Sequence, residues 1–436
     1  MFCYKISFII ISDKRIRKKE RGKKVENKHQ SNNYWIKIVI VFTLGWVAIY
    51  ATRTILNPIM TNIQSEFAIT TAQLGLISSL FFLGYTATQI PSGFLGDKFG
   101  RKKMIIPAFI GFGILAILSG QMFTFYMFLT MWFMTGMFQG VFYGPQYGLS
   151  SEAIPQKRLT IGSSIINSGM ALGMSAGYWI SSITVQEMDM SWRTPFWIMG
   201  VIVIIIGIIM WIVVKEHPPG HEKTVDKNAP AEKLKVSELF KNRNLILAFI
   251  IIFCSIYGFF VILTWLPYYL ETARGISGTS VAFVSSLVPW ASIPGMLLFG
   301  WISDKIGKQR PVLLFMVPLA FLSTISIVIF EQMWVLYVAL IVYGIVGKLS
   351  TNPVLIAVVA NNAPKVGLAT SFGIYNFIRM SASILAPYIT GFITDVTGNL
   401  DMGFYLAGGL LVIAIIAVFL IDESGYKRVV DVEKVN

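Results

Sequence analysis

The chain has 436 residues, of which 55% are hydrophobic and only 13% are charged. A water-soluble protein of this length needs more polar sequence to cover its surface, so the composition excludes an ordinary soluble enzyme and predicts an all-α polytopic membrane protein. The formal net charge is +14, but ten of the 36 Lys and Arg residues lie in residues 1–33. Because much of the excess sits in one tail and the remainder in alternate loops, it indicates orientation in a bilayer and not nucleic-acid binding.

Twelve apolar runs follow the basic tail, each close to the ~20 residues that a helix needs to cross a bilayer. The six runs before the central polar segment cover residues 35–60, 72–96, 104–120, 124–148, 160–184 and 193–214. The six runs after it cover residues 245–270, 279–302, 311–330, 333–356, 366–394 and 401–422. The sequence therefore predicts twelve transmembrane helices, six on each side of the central segment.

The central segment and the two chain ends complete the predicted organisation. Pro218-Pro219-Gly220 and the alternating Lys and Glu after it are typical of a solvated linker. Lys and Arg concentrate in the loops of one side only, which predicts that both termini and the linker are cytoplasmic and that the protein resides in the plasma membrane. The predicted parts are a cytoplasmic basic tail (1–33), an N-terminal six-helix bundle (34–214), a cytoplasmic linker (215–243), a C-terminal six-helix bundle (244–422) and a cytoplasmic tail (423–436).

Two charged turns repeat one pattern 207 positions apart, from Gly93 to Gly300. The first reads Gly93-Phe-Leu-Gly-Asp97-Lys98-Phe-Gly100-Arg101-Lys102-Lys103, and the second reads Gly300-Trp-Ile-Ser-Asp304-Lys305-Ile-Gly307-Lys308-Gln-Arg310. An Asp beside several cations at a helix–helix junction can form charge-assisted hydrogen bonds, which would break when two halves rock apart. The alternative is a pair of ordinary positive loops. We predict a gating role for Gly93, Asp97, Arg101, Asp304 and Arg310.

The first turn resembles the signature loop of the major facilitator superfamily, and the resemblance covers essentially the whole chain. It implies two six-helix bundles around a central cavity, with alternating access by rocking of the bundles. Three segments are similar to the organophosphate antiporter and anion:cation symporter branches of that superfamily. They are Tyr50-Ala-Thr-Arg53, Phe138-Gln139-Gly140-Val-Phe-Tyr143-Gly-Pro145 and Leu263-Thr-Trp265-Leu-Pro267-Tyr-Tyr-Leu270.

Three cations, Arg53, Lys348 and Arg379, lie inside predicted spans. A charge near the bilayer midplane costs roughly 3 kcal/mol or more, so such residues usually mark function. Tyr50 and Asn57 lie three and four positions from Arg53, on its helical face. No Asp or Glu falls near the middle of a span, and a cationic cavity without acids favours an anionic substrate. We predict substrate binding by Arg53, Arg379, Lys348, Tyr50, Asn57, Gln139, Tyr143, Asn167, Tyr257, Tyr375 and Asn376.

The sequence thus predicts a secondary active transporter that takes up a small organic anion, either a sugar phosphate or glycerol phosphate or a hexuronate-like carboxylate. Similar proton symporters carry Asp and Glu where this chain has Thr52 and Gln139, neither of which titrates. Similar organophosphate antiporters carry a second Arg in span 7, which this chain lacks. Inorganic phosphate and a proton therefore both stay open as the coupled ion.

Three other functions also stay open: a proton-coupled organic acid symporter, an exporter of amphipathic drugs and a non-transporting sugar-phosphate sensor. The sequence predicts no enzyme, no cofactor and no metal site, because the three histidines lie in loops and the two cysteines are far apart. The expected partners are an anionic metabolite and the lipid bilayer, and the expected oligomeric state is a monomer.

Overall fold

The computed structural model describes residues 34–216, 239–364 and 368–423. The basic tail, nearly all of the predicted linker and nearly all of the C-terminal tail lie outside these residues, so the predictions made for them stay predictions. Within the described ranges every long element is a helix and there is no strand. Each of the twelve predicted spans corresponds to one of these helices.

We number the twelve helices in chain order. They are α1 (Tyr34–Phe67), α2 (Thr71–Phe99), α3 (Arg101–Ser119), α4 (Phe125–Ala153), α5 (Leu159–Ser181), α6 (Thr194–Val213), α7 (Arg243–Thr272), α8 (Thr279–Ile306), α9 (Arg310–Ile329), α10 (Met333–Asn362), α11 (Leu368–Thr397) and α12 (Asp401–Leu420). Ten of them are long and apolar enough to cross a membrane by length and composition.

The two helices below that hydropathy limit are α2 and α5, which are rich in Gly, Ser and Thr. Both lie where the two halves of the molecule meet, since α2 packs against α11 and α5 packs against α8. Within each half, neighbouring helices pack on one another, as α2 does on α4 and α7 on α12. Part of this polar surface meets the other bundle, since Ser79 accepts from the Tyr388 backbone N–H and Gln89 accepts from Asn376, both in α11.

α5 also packs closely on α1 within the first half. Gly173 lies so near α1 that an added Cβ would stand 2.4 Å from the Val47 carbonyl oxygen, and Gly169 and Gly177 approach the same helix one turn to either side. Thr54 Oγ1 of α1 donates a hydrogen bond to the Met174 carbonyl of α5 at 3.0 Å. No larger side chain fits along this glycine face without separating the helices.

Two of the spans are interrupted. α1 tightens into a 3-10 turn at Asn57–Ile59 and continues as Met60–Phe67, because Pro58 has no backbone N–H to donate. α10 consists of two segments, Met333–Val346 and Lys348–Asn362, separated at Gly347. An added Cβ at Gly347 would lie 2.4 Å from the Tyr343 carbonyl oxygen, so the chain can make this break only with glycine.

The bundles are joined by hydrogen bonds at one end of the molecule, which we call the closed end. Asn57 Nδ2 of α1 and Tyr178 Oη of α5 both donate to the Leu263 carbonyl of α7, at 2.7 and 2.9 Å. Tyr268 Oη donates to Gln64 Oε1 at 2.8 Å. We call the opposite end, which carries the two repeated turns, the basic end.

Carboxylates make the other contacts across the closed end. Glu271 of α7 accepts hydrogen bonds from Thr61 Oγ1 at 2.8 Å and from Gln186 Nε2, both in the first bundle. Because its two partners come from α1 and from the turn after α5, this one side chain ties three elements together.

The remaining two carboxylates form a matched pair. Asp395, in the last turn of α11, accepts from the backbone N–H groups of Thr71 and Ala72 at 2.9 and 2.8 Å, where α2 begins. Glu187, just after α5, accepts from the backbone N–H of Thr279 at 2.8 Å, where α8 begins. Each acid thus meets the positive end of a helix in the other bundle, which is the favourable placement for a negative charge.

Candidate functional site

Arg53 of α1 is the centre of the candidate site. Its side chain is buried, and its Nε donates to Gln139 Oε1 of α4 at 2.9 Å. The guanidinium lies over the rings of Tyr50 and Tyr85, at 4.7 and 4.3 Å from their centroids. These rings stabilise a cation without neutralising it. The guanidinium of Arg53 therefore has aromatic neighbours and, among the described residues, no negative side chain against it.

One nitrogen of Arg53 is left without a protein partner. Nη2 is buried and makes no hydrogen bond within the part of the chain that the structure describes. Gln139 cannot supply a second acceptor to it, because its amide nitrogen turns back toward the Ile49 carbonyl at 3.5 Å. A buried charged donor without a partner is costly, and in native structures it generally awaits a water or a ligand.

Arg379 of α11 supplies the second cation, from the other bundle. Its Nε and Nη2 donate to Asn376 Oδ1 at 3.3 and 2.9 Å, since residues three apart share a helical face. Asn376 Nδ2 in turn donates to Gln89 Oε1 of α2 at 3.0 Å. The Asn376–Gln89 hydrogen bond links the two bundles beside the cations.

Several tyrosines lie near the two arginines. Five of them interact electrostatically with Arg379, and Tyr50 interacts with both arginines. Neutral phenols can donate to an oxyanion and accept from a sugar hydroxyl, so they suit a hydroxylated anion. The five tyrosines are Tyr50, Tyr85, Tyr143, Tyr147 and Tyr375.

Lys348 supplies the third cation from α10. Its side chain is buried, and its Nζ lies 5.1 Å from the centroid of the Phe259 ring. It lies within electrostatic range of both Arg379 and Arg53. The cavity beside it measures only about 10 Å³, which is room for about one water and not for a sugar acid.

No acid accompanies these cations among the residues that the structure describes. The carboxylates found there lie toward the ends of the helices, as Glu271 and Asp395 do at the closed end and Asp97 and Glu152 do at the basic end. Burying like charges without counter-charges is unfavourable, so the arrangement suits a site that is completed by an anion.

Three predicted binding residues lie apart from the cations or have other partners. Asn57 begins the 3-10 turn of α1 and donates to the Leu263 carbonyl at the closed end. Asn167 accepts a hydrogen bond from Tyr147 at 3.1 Å. Tyr257 is buried in α7, and its hydroxyl has no hydrogen-bond partner in the described part of the chain.

Two residues near the cations escaped the sequence reasoning. Tyr85 stacks on Arg53 and Gln89 binds Asn376, but both belong to α2, an apolar run without any charge of its own near them. Periodicity around Arg53 finds neighbours on the same helix only. A search for polar residues on the α2 face that carries Ser78 and Tyr85 could have found them.

The predicted gating residues lie at the basic end, and among the described residues none of them contacts the other bundle. Arg101 contacts Asp97 at 2.8 Å and Glu152 at 2.6 Å, all within the first bundle. At the second turn Asp304 is exposed, and it has no ion-pair partner among the described residues.

Glu423 at the second turn corresponds to Glu216 at the first, whose Oε2 accepts a hydrogen bond from the backbone N–H of Lys102 at 3.0 Å. Glu423 accepts from the backbone N–H of Arg310 at 2.8 Å, while Arg310 Nη2 donates to the Phe419 carbonyl.

The two copies therefore share a glutamate that accepts from the start of the following helix, and they differ in the Asp97–Arg101 ion pair of the first copy. Gly93 and Gly300 both face open space. The gating role of these residues stays a prediction.

Comparison with known proteins identifies the fold family. The family model described as Major Facilitator Superfamily matches residues 42–387, and matches again over residues 274–435. The chain belongs to the major facilitator superfamily. This membership confirms the predicted fold of two six-helix bundles, and it confirms a transporter class over an enzyme.

The chain is similar to several transporters of organic acids. The chain is 27% identical to a hexuronate transporter of Bacillus subtilis, over 88% of this chain and 93% of the relative. It is 26% identical to a probable sulfoacetate transporter of Cupriavidus necator, over 88% and 93%. It is 24% identical to a D-galactonate transporter of Escherichia coli, over 89% and 96%.

A solved structure of the same fold is that of a bacterial homologue of the human lysosomal transporter Spinster, in an inward-facing and unoccupied conformation. It superimposes with a TM-score of 0.76 at 17% identity, over 89% of this chain and 96% of that one. At this identity the similarity concerns the fold alone.

Proposed function

We propose that this major facilitator carries a small hydroxylated organic acid of the hexuronate or aldonate class across a membrane by alternating access. The acid group binds between Arg53 and Arg379, and the sugar hydroxyls bind the surrounding tyrosines. The observation that carries the proposal is the buried, unpartnered Nη2 of Arg53 in a cationic site without acids among the described residues. The relatives described above, which transport hexuronate and D-galactonate, support a carboxylate over a phosphate ester.

The proposed cycle uses the two ends in turn. In the present conformation hydrogen bonds between the bundles hold the closed end together. Among the described residues, the hydrogen bond between the bundles that lies nearest the basic end is Asn376–Gln89. The substrate would exchange at the basic end here, and at the other end after the bundles rock. We propose that the basic end is cytoplasmic, that the membrane is the plasma membrane and that the monomer works in uptake.

Uptake into proteoliposomes tests the proposal. Purified protein should accumulate radiolabelled D-glucuronate or D-galactonate, and Arg53→Ala and Arg379→Ala should each reduce uptake by about a hundredfold, because a charge-assisted contact to the anion is lost. Arg243→Ala, at an exposed arginine where α7 begins, is the matched control and should keep wild-type uptake. Full uptake by both site variants would refute the proposed site.

The coupled ion is a separate question with its own measurement. Proteoliposomes can be loaded with inorganic phosphate, or given a pH gradient, before the labelled acid is added. Because Thr52 and Gln139 carry no titratable proton, we expect little stimulation by the pH gradient through these positions. Strong stimulation by an inward proton gradient would show that another group carries the proton.

A further inference from the structure

One pair of antiparallel helices, α2 and α11, joins the two bundles beside the cations. Toward the closed end the Tyr388 backbone N–H donates to Ser79 Oγ at 3.1 Å, and further along the pair Asn376 Nδ2 donates to Gln89 Oε1 at 3.0 Å. One helical turn closer to the basic end, Gly373 of α11 faces open space. Among the described residues, the Gln89–Asn376 bond is therefore the last hydrogen bond of this helix pair before the basic end.

Arg379 fixes the orientation of both amides in that bond. A guanidinium only donates hydrogen bonds, so the Asn376 atom that faces Nε and Nη2 of Arg379 must be its oxygen. The Asn376 nitrogen then points to Gln89, and the Gln89 atom that faces it must be an oxygen. The Gln89 nitrogen is left over: the residue is only 6% exposed, and its Nε2 has no hydrogen-bond partner within the described residues.

The acceptor that Gln89 Nε2 lacks is already occupied. A side-chain amide oxygen has two lone pairs, and two N–H groups of Arg379 take those of Asn376, at 3.3 and 2.9 Å. Two facing carboxamides can form two hydrogen bonds, one in each direction, but here only one is made. A buried donor without an acceptor is costly. The joint between the bundles is therefore weaker than its two amides allow, as long as Arg379 holds the Asn376 oxygen.

We propose that Gln89 is a positioning residue through which substrate binding strengthens the joint between the bundles. When an acid group accepts from Nε and Nη2 of Arg379, Asn376 Oδ1 is released, and Gln89 Nε2 donates to it as the second bond of an amide pair. The loaded transporter then holds α2 and α11 together more tightly on the basic side of the site, which favours closure of the basic end. This inference rests on the proposed function, because it presumes that the acid group binds Arg379.

Removing Arg379 tests the inference without any substrate. Arg379→Ala releases Asn376 Oδ1, so the amide pair should form in the empty protein. The population closed at the basic end should then rise about two- to tenfold, the factor that one hydrogen bond supplies. Spin labels at Lys98 and Lys305, which are exposed at equivalent positions of the two repeated turns, would report this closure as a shorter distance.

Two further variants separate the amide pair from a loss of charge repulsion. Arg53→Ala removes an equal charge but leaves Asn376 bonded to Arg379, so the label distance in the empty protein should stay as in the wild type. Gln89→Met, added to Arg379→Ala, keeps the length of the side chain but removes its amide. The double variant should return to the wild-type distance.

The response to substrate is the second measurement. D-Galactonate should shorten the label distance in the wild type and should have a much smaller effect in Gln89→Met. Ser79→Ala is the matched control, because it removes another hydrogen bond between α2 and α11 at a place away from Arg379. It should keep the full response to D-galactonate.

Distinct results overturn the two proposals. An unchanged distance in empty Arg379→Ala, a shortening that Gln89→Met does not reverse, or a full substrate response in Gln89→Met would refute the amide pair while anion transport stands. If the wild type binds neither D-glucuronate nor D-galactonate, the proposed function fails and the substrate dependence fails with it. The empty Arg379→Ala protein still decides in that case whether the two amides pair.

Discussion

The closed end and the basic end of this transporter use charged groups in opposite ways. At the closed end Glu271, Asp395 and Glu187 each accept hydrogen bonds from the other bundle. At the basic end the contacts of Arg101 stay within the first bundle, and those of Glu423 stay within the second. The same chemical groups therefore hold two bundles together at one end and stabilise the corner of a single bundle at the other. Substitutions at the closed end should change which conformation is populated, and those at the basic end should change stability.

The largest effect is expected at Glu271, the most enclosed of the three closed-end acids. Glu271→Ala removes the acceptor of Thr61 and Gln186 together. Hydrogen bonds contribute about 0.5–1.5 kcal/mol each, so losing two of them should raise the population open at this end by about tenfold. Spin labels at exposed Ser65 and Thr272, in opposite bundles, would report the change as a longer distance.

The matched control for this substitution is Glu331→Ala, an exposed acid that precedes α10 within the second bundle. It should leave the label distance unchanged. An unchanged distance in Glu271→Ala would mean that the closed end is held by its backbone and amide contacts alone.

A smaller effect is expected at Asp395, whose side chain is exposed although it meets two backbone amides. Asp395→Asn keeps an acceptor oxygen but removes the charge at the start of α2, which is a loss of roughly 0.3–1 kcal/mol. The same pair of spin labels should show that the open population rises by no more than about fivefold. Asp401→Asn, in the first turn of α12 in the same bundle, should show none.

The two charged turns at the basic end should differ in how much they contribute to thermal stability. Asp97→Asn breaks an ion pair with Arg101 and should lower stability by about 0.5 kcal/mol, because that pair is partly exposed. Asp304→Asn should be neutral, since Asp304 has no partner among the described residues. Equal losses in a thermal-shift measurement would show that the two turns act alike despite their different contacts.

The smallest effect is expected at Glu187, and it should depend on pH. Hydrogen bonds from the backbone amide and the hydroxyl of Thr279 lower the pKa of this carboxyl below its ordinary value. A lowered pKa means that the contact with α8 is fully present above the ordinary Glu pKa of about 4.3 and is lost as the pH falls through the lowered value. Acid should therefore loosen the α5–α8 contact at this end.

The check on Glu187 is a comparison of two pH series with the same labels. Wild type should gain more open population between pH 6 and pH 3.5 than Glu187→Gln, which has already lost the charge. Identical series would assign the acid response to Glu271 and Asp395 instead.

Sequence reasoning predicted the parts of the site that lie on one helix. The three-residue spacing placed Tyr50 beside Arg53 and Asn376 beside Arg379, and both contacts are present. The same reasoning put Asn57 on the Arg53 face, and in the structure Asn57 donates to the Leu263 carbonyl at the closed end; its role in binding stays a prediction. Sequence reasoning missed Tyr85, because contacts between helices depend on how the bundle packs and not on spacing along one chain segment.

The architecture was more predictable than the contacts within it. Twelve apolar runs, the polar linker between the halves and the duplicated turn each indicate the fold through hydropathy and charge alone. The closed end was not predictable in this way: its acids were expected only at the ends of spans, and nothing in their local sequence indicates that Asp395 reaches the first residues of α2.

The glycine face of α5 has a mechanical consequence for transport. Because Gly169, Gly173 and Gly177 place α5 directly on the α1 backbone, the two helices cannot slide or roll separately, and they act as a single lever. α5 ends near Glu187, which contacts the other bundle, and α1 carries Arg53. We therefore expect movement at the rim of the transporter to reach Arg53, the proposed binding cation, through backbone contact between the two helices.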